Sequence, residues 1–426
     1  MTELGVWRDG VLIGMLTERR GRMTFAYEGP SAPKVSVSMP ARSRGYADTI
    51  ARPFFQGLLP EGEIRLMIAS DRGLGNFGGE DMDLLAELGG DSAGALVIVP
   101  SSEVPSTPSS GPSVVIDEGE VGALLRSLPA NPLGLDGAGS LSLPGVQPKL
   151  LLAGEPGRWS MPSGSVPSTY LLKPPTSRLP ASSVHNEAFC MMFASNLGLP
   201  AASTSVGEFD GVPAVISTRY DRFATKHGTT GRVHQEDGCQ ALSVVTAHAP
   251  VRKYEASGSG VSLRAIAAVL DRWADRGSLS DLLGQVVLNV IVGNSDFHAK
   301  NVSFLHRSAD VVELAPAYDV MNTTTYTGDA TRAGVTTTLA LRIGGATDLH
   351  AVTMNDVATE ASRWPIPRAD IDATITRVLD RVPGALTASL ESVPGVDPGI
   401  FAEIQRRSDA ARSWRPEGRP RPVAGR

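Results

Sequence analysis

The amino-acid sequence predicts an α+β fold, with a small N-terminal α+β module followed by a core of two lobes. Short runs of apolar and β-branched residues, separated by glycine and proline, dominate the first half of the chain and are typical of strands. From about residue 261 onward the apolar residues recur with helical periodicity. The sequence changes from sheet-rich to helix-rich near residue 240, and a cleft between two such lobes is the expected place for a nucleotide.

The N-terminal module is predicted to comprise residues 1–100. Its first half alternates like a small antiparallel sheet, and two short helices are predicted around residues 64–68 and 84–88, before a strand at 95–99. Residues 101–113, in which serine and proline predominate, are predicted to be a linker. We therefore expect the module to pack beside the core and to serve regulation or partner contact.

The core divides into a smaller and a larger lobe. Residues 114–240 are predicted to form the smaller lobe, with a strand at 170–173 and an amphipathic helix over about 184–197 that glycine and proline terminate. Residues 241–412 are mostly helical and form the predicted larger lobe. Residues 413–426 are rich in proline, glycine and arginine and are predicted to be disordered.

Composition narrows the functional class. A net charge of -6 disfavours broad nucleic-acid binding, which normally requires a basic excess. The two cysteines, Cys190 and Cys239, have no CxxC spacing, so neither a disulfide framework nor a zinc site is expected. The sequence has no secretory leader pattern and no apolar run of the ~18 residues that a membrane span needs, so we expect a cytoplasmic protein without membrane contact.

The strongest chemical signal is the polar stretch GNSDFHAKN at residues 293–301, between an apolar helix and a strand. Polar groups in such a place cost free energy unless they are hydrogen-bonded or bind an ion. Asp296 and Asn301 have the D-x-x-x-x-N spacing of a protein-kinase catalytic loop, in which a carboxylate orients the attacking hydroxyl and an amide oxygen holds magnesium. The alternative at this point is a polar turn stabilised by Asx hydrogen bonds.

Two further segments add charges suited to phosphoryl transfer. Asp319, in PAYDV, follows a predicted strand pair downstream and could supply a second oxygen ligand to magnesium. Lys173 ends the strand YLLK at the edge of the predicted cleft, where it could neutralise phosphate oxygens. Glu187, in the next helix, could orient this lysine by an ion pair. Each residue alone is compatible with an ordinary turn or surface role.

Two loops complete the pattern. SLSLPGVQPK, residues 140–149, contains Gly145 and could offer backbone N–H groups to phosphates, although it is not a P-loop motif. HQEDGCQ, residues 234–240, falls at the predicted lobe boundary, where an adenine base could meet backbone groups.

In these segments the chain resembles the HipA family of serine/threonine kinase toxins from type II toxin–antitoxin systems. The resemblance extends from about residue 5 to residue 395, and the order and spacing of the motifs match. In the N-terminal module the matching segments are FFQGLLPEG and DLLAELGGDSAGA. In the core they are SLPGVQPKL, YLLKPP, NEAFCMMFASNLGLP, QEDGCQAL, NSDFHAKN and PAYDV.

The resemblance implies a two-lobed, protein-kinase-like fold with ATP and magnesium as cofactors. It implies that Asp296 is the catalytic base, that Asn301 and Asp319 bind magnesium, and that Lys173 contacts the ATP phosphates. The loop from Gly145 to Lys149 would cover the phosphates, and Glu236 and Gly238 would line the adenine site. The predicted nucleotide-binding residues are Gly145, Val146, Gln147, Lys149, Lys173, Glu236, Gly238, His298 and Lys300.

The resemblance also predicts regulation, and two positions depart from the pattern. Ser142 matches the autophosphorylated serine of the family and is predicted to switch the enzyme off, with Ser140 as the alternative acceptor. Gly238 replaces a residue that is commonly phenylalanine, and Phe297 stands where a small glycine is often found. Neither change removes a group required for phosphoryl transfer.

The resemblance finally implies the partners. A small helix-turn-helix antitoxin of the HipB type, and through it operator DNA, are expected, together with a protein substrate such as an aminoacyl-tRNA synthetase. Two rival functions remain open at the level of sequence. One is a nucleotide-binding pseudokinase that serves as a corepressor scaffold, and the other is a metal-dependent hydrolase that uses Asp296, His298 and Asp319.

Overall fold

The structure is a computed structural model of the chain. It describes residues 2–74, 81–106, 114–131, 143–145, 147–176, 179–246, 249–275, 277–308, 311–327 and 336–416. Ser140, Ser142 and Val146 lie outside these residues, as do parts of the predicted linker and C-terminal tail.

The N-terminal module is a four-stranded antiparallel sheet covered by three helices. The strand order is β3-β2-β1-β4, so the last strand of the module closes the sheet beside the first. Two tight hairpins use Asp9-Gly10 and Arg20-Gly21 with positive φ at both positions, the geometry that matches the twist of adjoining strands. The elements are β1 (Thr2–Arg8), β2 (Val11–Arg19), β3 (Arg22–Tyr27), α1 (Asp48–Gly57), α2 (Gly62–Asp71), α3 (Asp81–Leu88) and β4 (Leu96–Pro100).

The smaller lobe is a six-stranded sheet of order β5-β7-β6-β8-β10-β9, with Trp159 buried in its core. The helix α4 begins with a capping box formed by Asp117 and Glu120. A two-stranded hairpin, β11–β12, follows the sheet. The elements are β5 (Val115–Ile116), α4 (Glu118–Ser127), β6 (Leu150–Glu155), β7 (Arg158–Ser160), β8 (Tyr170–Lys173), α5 (Ser183–Asn196), β9 (Thr204–Phe209), β10 (Val212–Thr218), β11 (Arg222–Ala224) and β12 (Thr230–Arg232).

A three-stranded sheet connects the two lobes. Its first strand, β13 (His234–Asp237), pairs with β14 (Ser303–His306), which in turn pairs with β15 (Val312–Leu314). The short helix α6 (Gly238–Ala241) follows β13 directly. The predicted boundary near residue 240 therefore falls at a sheet shared by both lobes.

The larger lobe is built around a helix that is buried on nearly all sides. This helix, α8 (Gly277–Val292), is rich in apolar residues and contributes to the largest core cluster, on which α5, α10 (Arg368–Ser392) and α11 (Pro398–Arg412) also pack. The elements are α7 (Leu263–Trp273), α8 (Gly277–Val292), β16 (Thr338–Ile343), β17 (Ala346–Asp348), α9 (Met354–Ala361), α10 (Arg368–Ser392) and α11 (Pro398–Arg412). The predicted α+β class is confirmed. Within the described residues, no helix has the length and apolar character to cross a membrane.

A buried ion cluster joins the N-terminal module to the smaller lobe, and we call it the joint cluster. It consists of Asp91 from the module with Arg219, Asp221, Arg222 and Arg232 from the lobe. Asp91 Oδ1 lies 2.8 Å from Arg222 Nη2, and Asp221 Oδ2 lies 2.8 Å from Arg219 Nη2. These paired charges hold the module in a fixed place against the core.

Candidate active site

A cleft of about 1270 Å³ opens between the lobes. The N-terminal module forms part of its wall through Glu61, Gly62 and Ile64. Of the predicted site residues, the wall includes Gly145, Gln147, Lys149, Lys173, Glu236, Asp296, His298, Lys300, Asn301 and Asp319. Residues predicted from segments far apart in the sequence thus share one cavity.

The predicted catalytic loop begins where α8 ends. Gly293 has φ +78°, and a Cβ at this position would lie 2.8 Å from Thr324 Oγ1, so the helix ends with a glycine in the left-handed region. The amide of Asn294 donates to the Asn289 carbonyl oxygen, which completes the terminal turn. Asp296 is then held through its backbone, because its amide donates to Asn294 Oδ1 (3.0 Å) and its carbonyl accepts from Asn301 Nδ2 (3.1 Å).

The Asp296 carboxylate also has a side-chain partner that the sequence analysis missed. The Tyr254 hydroxyl donates to Asp296 Oδ1 at 2.9 Å. Tyr254 precedes Asp296 by 42 positions and belongs to no motif recognised in the sequence, so no local pattern indicated the contact.

A second cluster of charges lies across the cleft, and we call it the cleft cluster. Lys173 Nζ contacts Glu187 Oε1 at 2.8 Å and Asp319 Oδ1 at 2.5 Å, and Lys149 lies nearby. Burial opposes the charged form of Lys173, but the carboxylates of Asp319 and Glu187 outweigh it and raise its pKa. The predicted ion pair between Lys173 and Glu187 is therefore present, and Lys173 also bridges to Asp319.

Asp319 has two features of a ligand-binding carboxylate. Its φ is +57°, a left-handed conformation that is uncommon for residues other than glycine and occurs often at functional sites. Its side chain is 46% exposed, whereas the side chains of Lys173 and Glu187 are 8% and 7% exposed. The charge of Lys173, against the opposing effect of burial, lowers the pKa of Asp319 and keeps it ionised.

The fit of this site to magnesium can be judged from its donors. At the cleft wall Asp319 offers a carboxylate and Asn301 an amide oxygen, and Mg²⁺ typically takes one or two such protein oxygens while keeping waters and phosphate oxygens. The donor set therefore suits magnesium held together with a nucleotide. Asp296, His298 and Asp319, all of which the structure describes, do not form a group of three ligands that could hold a metal by themselves.

The predicted phosphate loop is partly described. Gly145 has φ +127°, a backbone conformation that residues with a side chain rarely adopt, which favours glycine at this position. Lys149 Nζ donates to the Pro144 carbonyl at 2.7 Å, and burial together with the Lys173 charge lowers the pKa of Lys149 to about 8. The amide of Glu61 donates to the Gly145 carbonyl at 3.1 Å, so the N-terminal module contacts this loop directly.

The predicted adenine-site residues occupy different environments. Glu236 lies at the cleft wall, but its carboxylate accepts hydrogen bonds from Ser36 Oγ (2.5 Å) and the Val37 amide (2.8 Å) of the module. Gly238 lies outside the wall, and a Cβ at this position would lie 2.6 Å from the Ala299 carbonyl oxygen. The close backbone contact explains why a larger residue does not fit at position 238 in this structure.

The remaining residues of the predicted catalytic loop are largely buried. Lys300 Nζ lies 2.7 Å from Asp237 Oδ2 and 3.2 Å from Glu61 Oε1, so its charge is shared between two carboxylates. Burial lowers the pKa of His298 to about 4, which keeps its ring neutral at pH 7. Phe297 is buried in the core of the larger lobe. The contact of Glu61 with Lys300 was not expected from the sequence, since the two residues are distant in the chain.

Comparisons with known proteins agree with this architecture. A family model described as the HipA N-terminal domain matches residues 4–99, and one described as the HipA-like C-terminal domain matches residues 141–386. The chain is 34% identical to "Putative kinase Y4mE" of Sinorhizobium fredii over 402 residues, which cover 91% of this chain and 92% of that protein. It is 26% identical to the serine/threonine-protein kinase toxin HipA of Shewanella oneidensis, with 85% of this chain and 82% of that protein covered.

A solved structure shares the fold. The HipA chain in the complex of Shewanella oneidensis HipA, HipB and operator DNA superposes with a TM-score of 0.78 at 22% identity, covering 96% of both chains. The predicted HipA-like, two-lobed fold is therefore confirmed. Matching models at both ends of the chain and a relative aligned over nine-tenths of its length show that this protein belongs to the HipA family.

Proposed function

We propose that this protein is an ATP- and magnesium-dependent serine/threonine protein kinase. The observation that carries the proposal is the meeting of Asp296, Asn301, Asp319 and Lys173 in one cleft between two lobes. A positioned carboxylate, two oxygen donors and a buried lysine are the groups that phosphoryl transfer requires. Membership in a family with curated kinases supports the same conclusion.

In the proposed mechanism each residue has a separate task. Lys173, oriented by Glu187, would bind phosphate oxygens of ATP, and Asn301 and Asp319 would hold a magnesium ion. Bound magnesium supplies positive charge that neutralises the phosphates and the developing negative charge. Asp296 orients the acceptor hydroxyl and takes its proton, and the loop containing Gly145 and Lys149 covers the phosphates.

We further propose the biological setting. The chain acts in the cytoplasm as the toxin of a toxin–antitoxin pair, with a HipB-like helix-turn-helix antitoxin that binds operator DNA. This proposal is supported by the HipA relative and by the complex that contains HipB and DNA. A translation-related protein, such as an aminoacyl-tRNA synthetase, is the proposed substrate. Autophosphorylation at Ser142 is the proposed off-switch, and phosphosite mapping after incubation with Mg-ATP tests it.

Transfer of radiolabelled phosphate from ATP to dephosphorylated casein, and to the chain itself, tests the kinase activity. Asp296→Asn should lower transfer by roughly 10²–10⁴-fold, because a positioned base contributes this much to catalysis. ATP binding, measured by calorimetry with magnesium, should be largely retained. Asp83→Asn, an exposed carboxylate in the N-terminal module, is the matched control and should behave like the wild type.

Two outcomes would contradict the proposal. Undiminished transfer by Asp296→Asn would show that Asp296 is not the base. ATP binding without any transfer by the wild-type protein would instead favour the pseudokinase scaffold. The toxin role is tested by expression in a bacterial host, where growth arrest should require Asp296 and should be relieved by the cognate antitoxin.

A further inference from the structure

Tyr254 is the side chain that contacts the proposed catalytic carboxylate from outside the catalytic loop. Its hydroxyl donates to Asp296 Oδ1 at 2.9 Å, whereas Asn294 accepts from the Asp296 amide and Asn301 donates to the Asp296 carbonyl, so both contact only the backbone. A carboxylate fixed only through its backbone can still rotate about its side-chain torsions. The hydrogen bond from the Tyr254 phenol restricts this rotation.

The segment that carries Tyr254 is fixed on both sides of the residue. Lys253 Nζ lies 3.6 Å from Glu61 Oε2 of the N-terminal module. Glu255 Oε2 accepts a hydrogen bond from the Arg342 amide, in β16, at 2.7 Å. These two attachments connect the segment to different parts of the molecule, so Tyr254 is anchored beside Asp296 from both sides.

The Tyr254 ring is held by packing, and its hydroxyl is suited to donate a hydrogen bond to Asp296. The ring packs edge-on against His298, with 5.6 Å between the ring centroids. Burial and the neighbouring Asp296 carboxylate raise the pKa of Tyr254, so the hydroxyl keeps its proton. A hydroxyl that stays protonated and lies against a carboxylate can act only as a hydrogen-bond donor to it.

We propose that Tyr254 is a positioning residue for the catalytic base. It holds Asp296 Oδ1, so that Oδ2 faces the acceptor hydroxyl. The inference rests on the proposed kinase function. In that reaction the acceptor oxygen forms a bond to the γ-phosphorus, the bond from this phosphorus to the leaving ADP oxygen breaks, and the acceptor proton moves to Oδ2. Tyr254 retains its own proton throughout.

The test is Tyr254→Phe, which keeps the ring and removes the hydroxyl. Loss of one hydrogen bond to a charged group should lower kcat by roughly 10- to 100-fold. KM for ATP and KM for dephosphorylated casein should stay the same, because the phenol orients the base and binds neither substrate. Tyr170→Phe, in β8 and outside the cleft wall, is the matched control and should leave both constants unchanged.

A double variant separates positioning from a general structural role. If Tyr254 acts through Asp296, adding Tyr254→Phe to Asp296→Asn should cause no further loss of the residual activity. A further loss of similar size in the double variant would overturn the proposal, as would an unchanged kcat in Tyr254→Phe. If Tyr254→Phe lowered KM for casein and left kcat unchanged, the phenol would be competing with the acceptor. If the wild type carried phosphate on Tyr254, the phenol would itself be an acceptor. Either result would also overturn the positioning proposal.

The same assays distinguish failure of this inference from failure of the proposed function. If the wild type transfers phosphate and Asp296→Asn does not, the kinase assignment stands whatever Tyr254→Phe does. If the wild type transfers none, the kinase assignment itself fails, and with it the basis for assigning a positioning role to Tyr254.

Discussion

The joint cluster and the cleft cluster both consist of oppositely charged side chains, but they differ in how exposed their carboxylates are. In the joint cluster, the side chains of Asp91, Arg219, Asp221 and Arg222 are only 2–4% exposed, and each faces an opposite charge of the protein. In the cleft cluster, the Lys173 side chain is also buried, at 8% exposed, but its partner Asp319 is 46% exposed and has a left-handed backbone. One cluster is closed by its own members, and the other leaves a carboxylate open to the cleft.

The difference separates a cluster whose buried charges only pair with one another from a cluster that leaves one carboxylate accessible to a ligand. Burying an ion costs free energy that only close partners offset, so a closed cluster is stable while it is complete and fails when one member is lost. A carboxylate that remains accessible keeps coordination positions for an ion or a ligand. The two clusters cannot be distinguished by the signs of their charges, but they can be distinguished by the solvent exposure of Asp319.

The largest expected effect is the loss of stability that follows when the joint cluster is broken. Asp91→Asn leaves three buried arginines with Asp221 as their remaining carboxylate partner in the cluster, and it weakens the acceptor of the Ser168 amide and hydroxyl. The free energy of unfolding should fall by ~3–5 kcal/mol, the usual cost of leaving buried charge unpaired. Chemical denaturation monitored by tryptophan fluorescence measures this change.

An exposed ion pair provides the control for the joint cluster. Arg126 and Asp210 form a 2.6 Å pair with side chains 48% and 62% exposed. Arg126→Ala should cost at most ~1 kcal/mol, because solvent screens surface pairs. Equal losses in the two variants would mean that burial does not determine the strength of these pairs.

Next in size is the effect of Asp319→Asn on catalysis. Asparagine tolerates the left-handed conformation and is similar in volume, but it lacks the anionic oxygen. Phosphoryl transfer should fall by roughly 10²–10³-fold, as expected when one electrostatic stabiliser is removed. The unfolding midpoint should be unchanged, since Lys173 keeps its pair with Glu187. A large loss of stability would show that the cleft cluster is structural like the joint cluster.

The smallest expected effect concerns the pH dependence of stability. Burial opposes ionisation of Asp91 and Asp221, but the neighbouring arginines outweigh it and lower both pKa values, that of Asp221 to about 2. Such groups contribute stability that is fully present above their unfolded pKa of about 3.9 and is lost as the pH falls toward the folded value. The stability difference between wild type and Asp91→Asn should therefore narrow below about pH 4. Urea midpoints measured from neutral to acidic pH test this, and a constant difference would contradict it.

Part of the candidate site could be predicted from sequence because its residues lie within short motifs. Asp296 and Asn301 are five positions apart in a loop that must follow the buried helix α8, so their proximity is a local property. Lys173 and Glu187 are separated by one loop, and their ion pair was also anticipated. Local spacing was sufficient where one turn or one connection sets the geometry.

Other contacts depend on the packing of distant segments. Lys173 and Asp319 are 146 positions apart, and Asp91 meets Arg222 across 131 positions. Glu61 of the N-terminal module contacts Lys300, and Tyr254 contacts Asp296, without any motif that links the pairs. The expectation that the module lies beside the core was too limited, since it also forms part of the cleft wall.

The sequence by itself determined the α+β class, the buried helix before the predicted catalytic loop, and the polar motifs with their order. These follow from the periodicity of apolar residues and from short-range turn chemistry, which act over a few positions. Only the tertiary structure decided which charges pair, that the Asp319 carboxylate remains accessible, and that the Tyr254 phenol contacts Asp296. Those features depend on the relative placement of the module and the two lobes, which is fixed by packing between segments far apart in the chain.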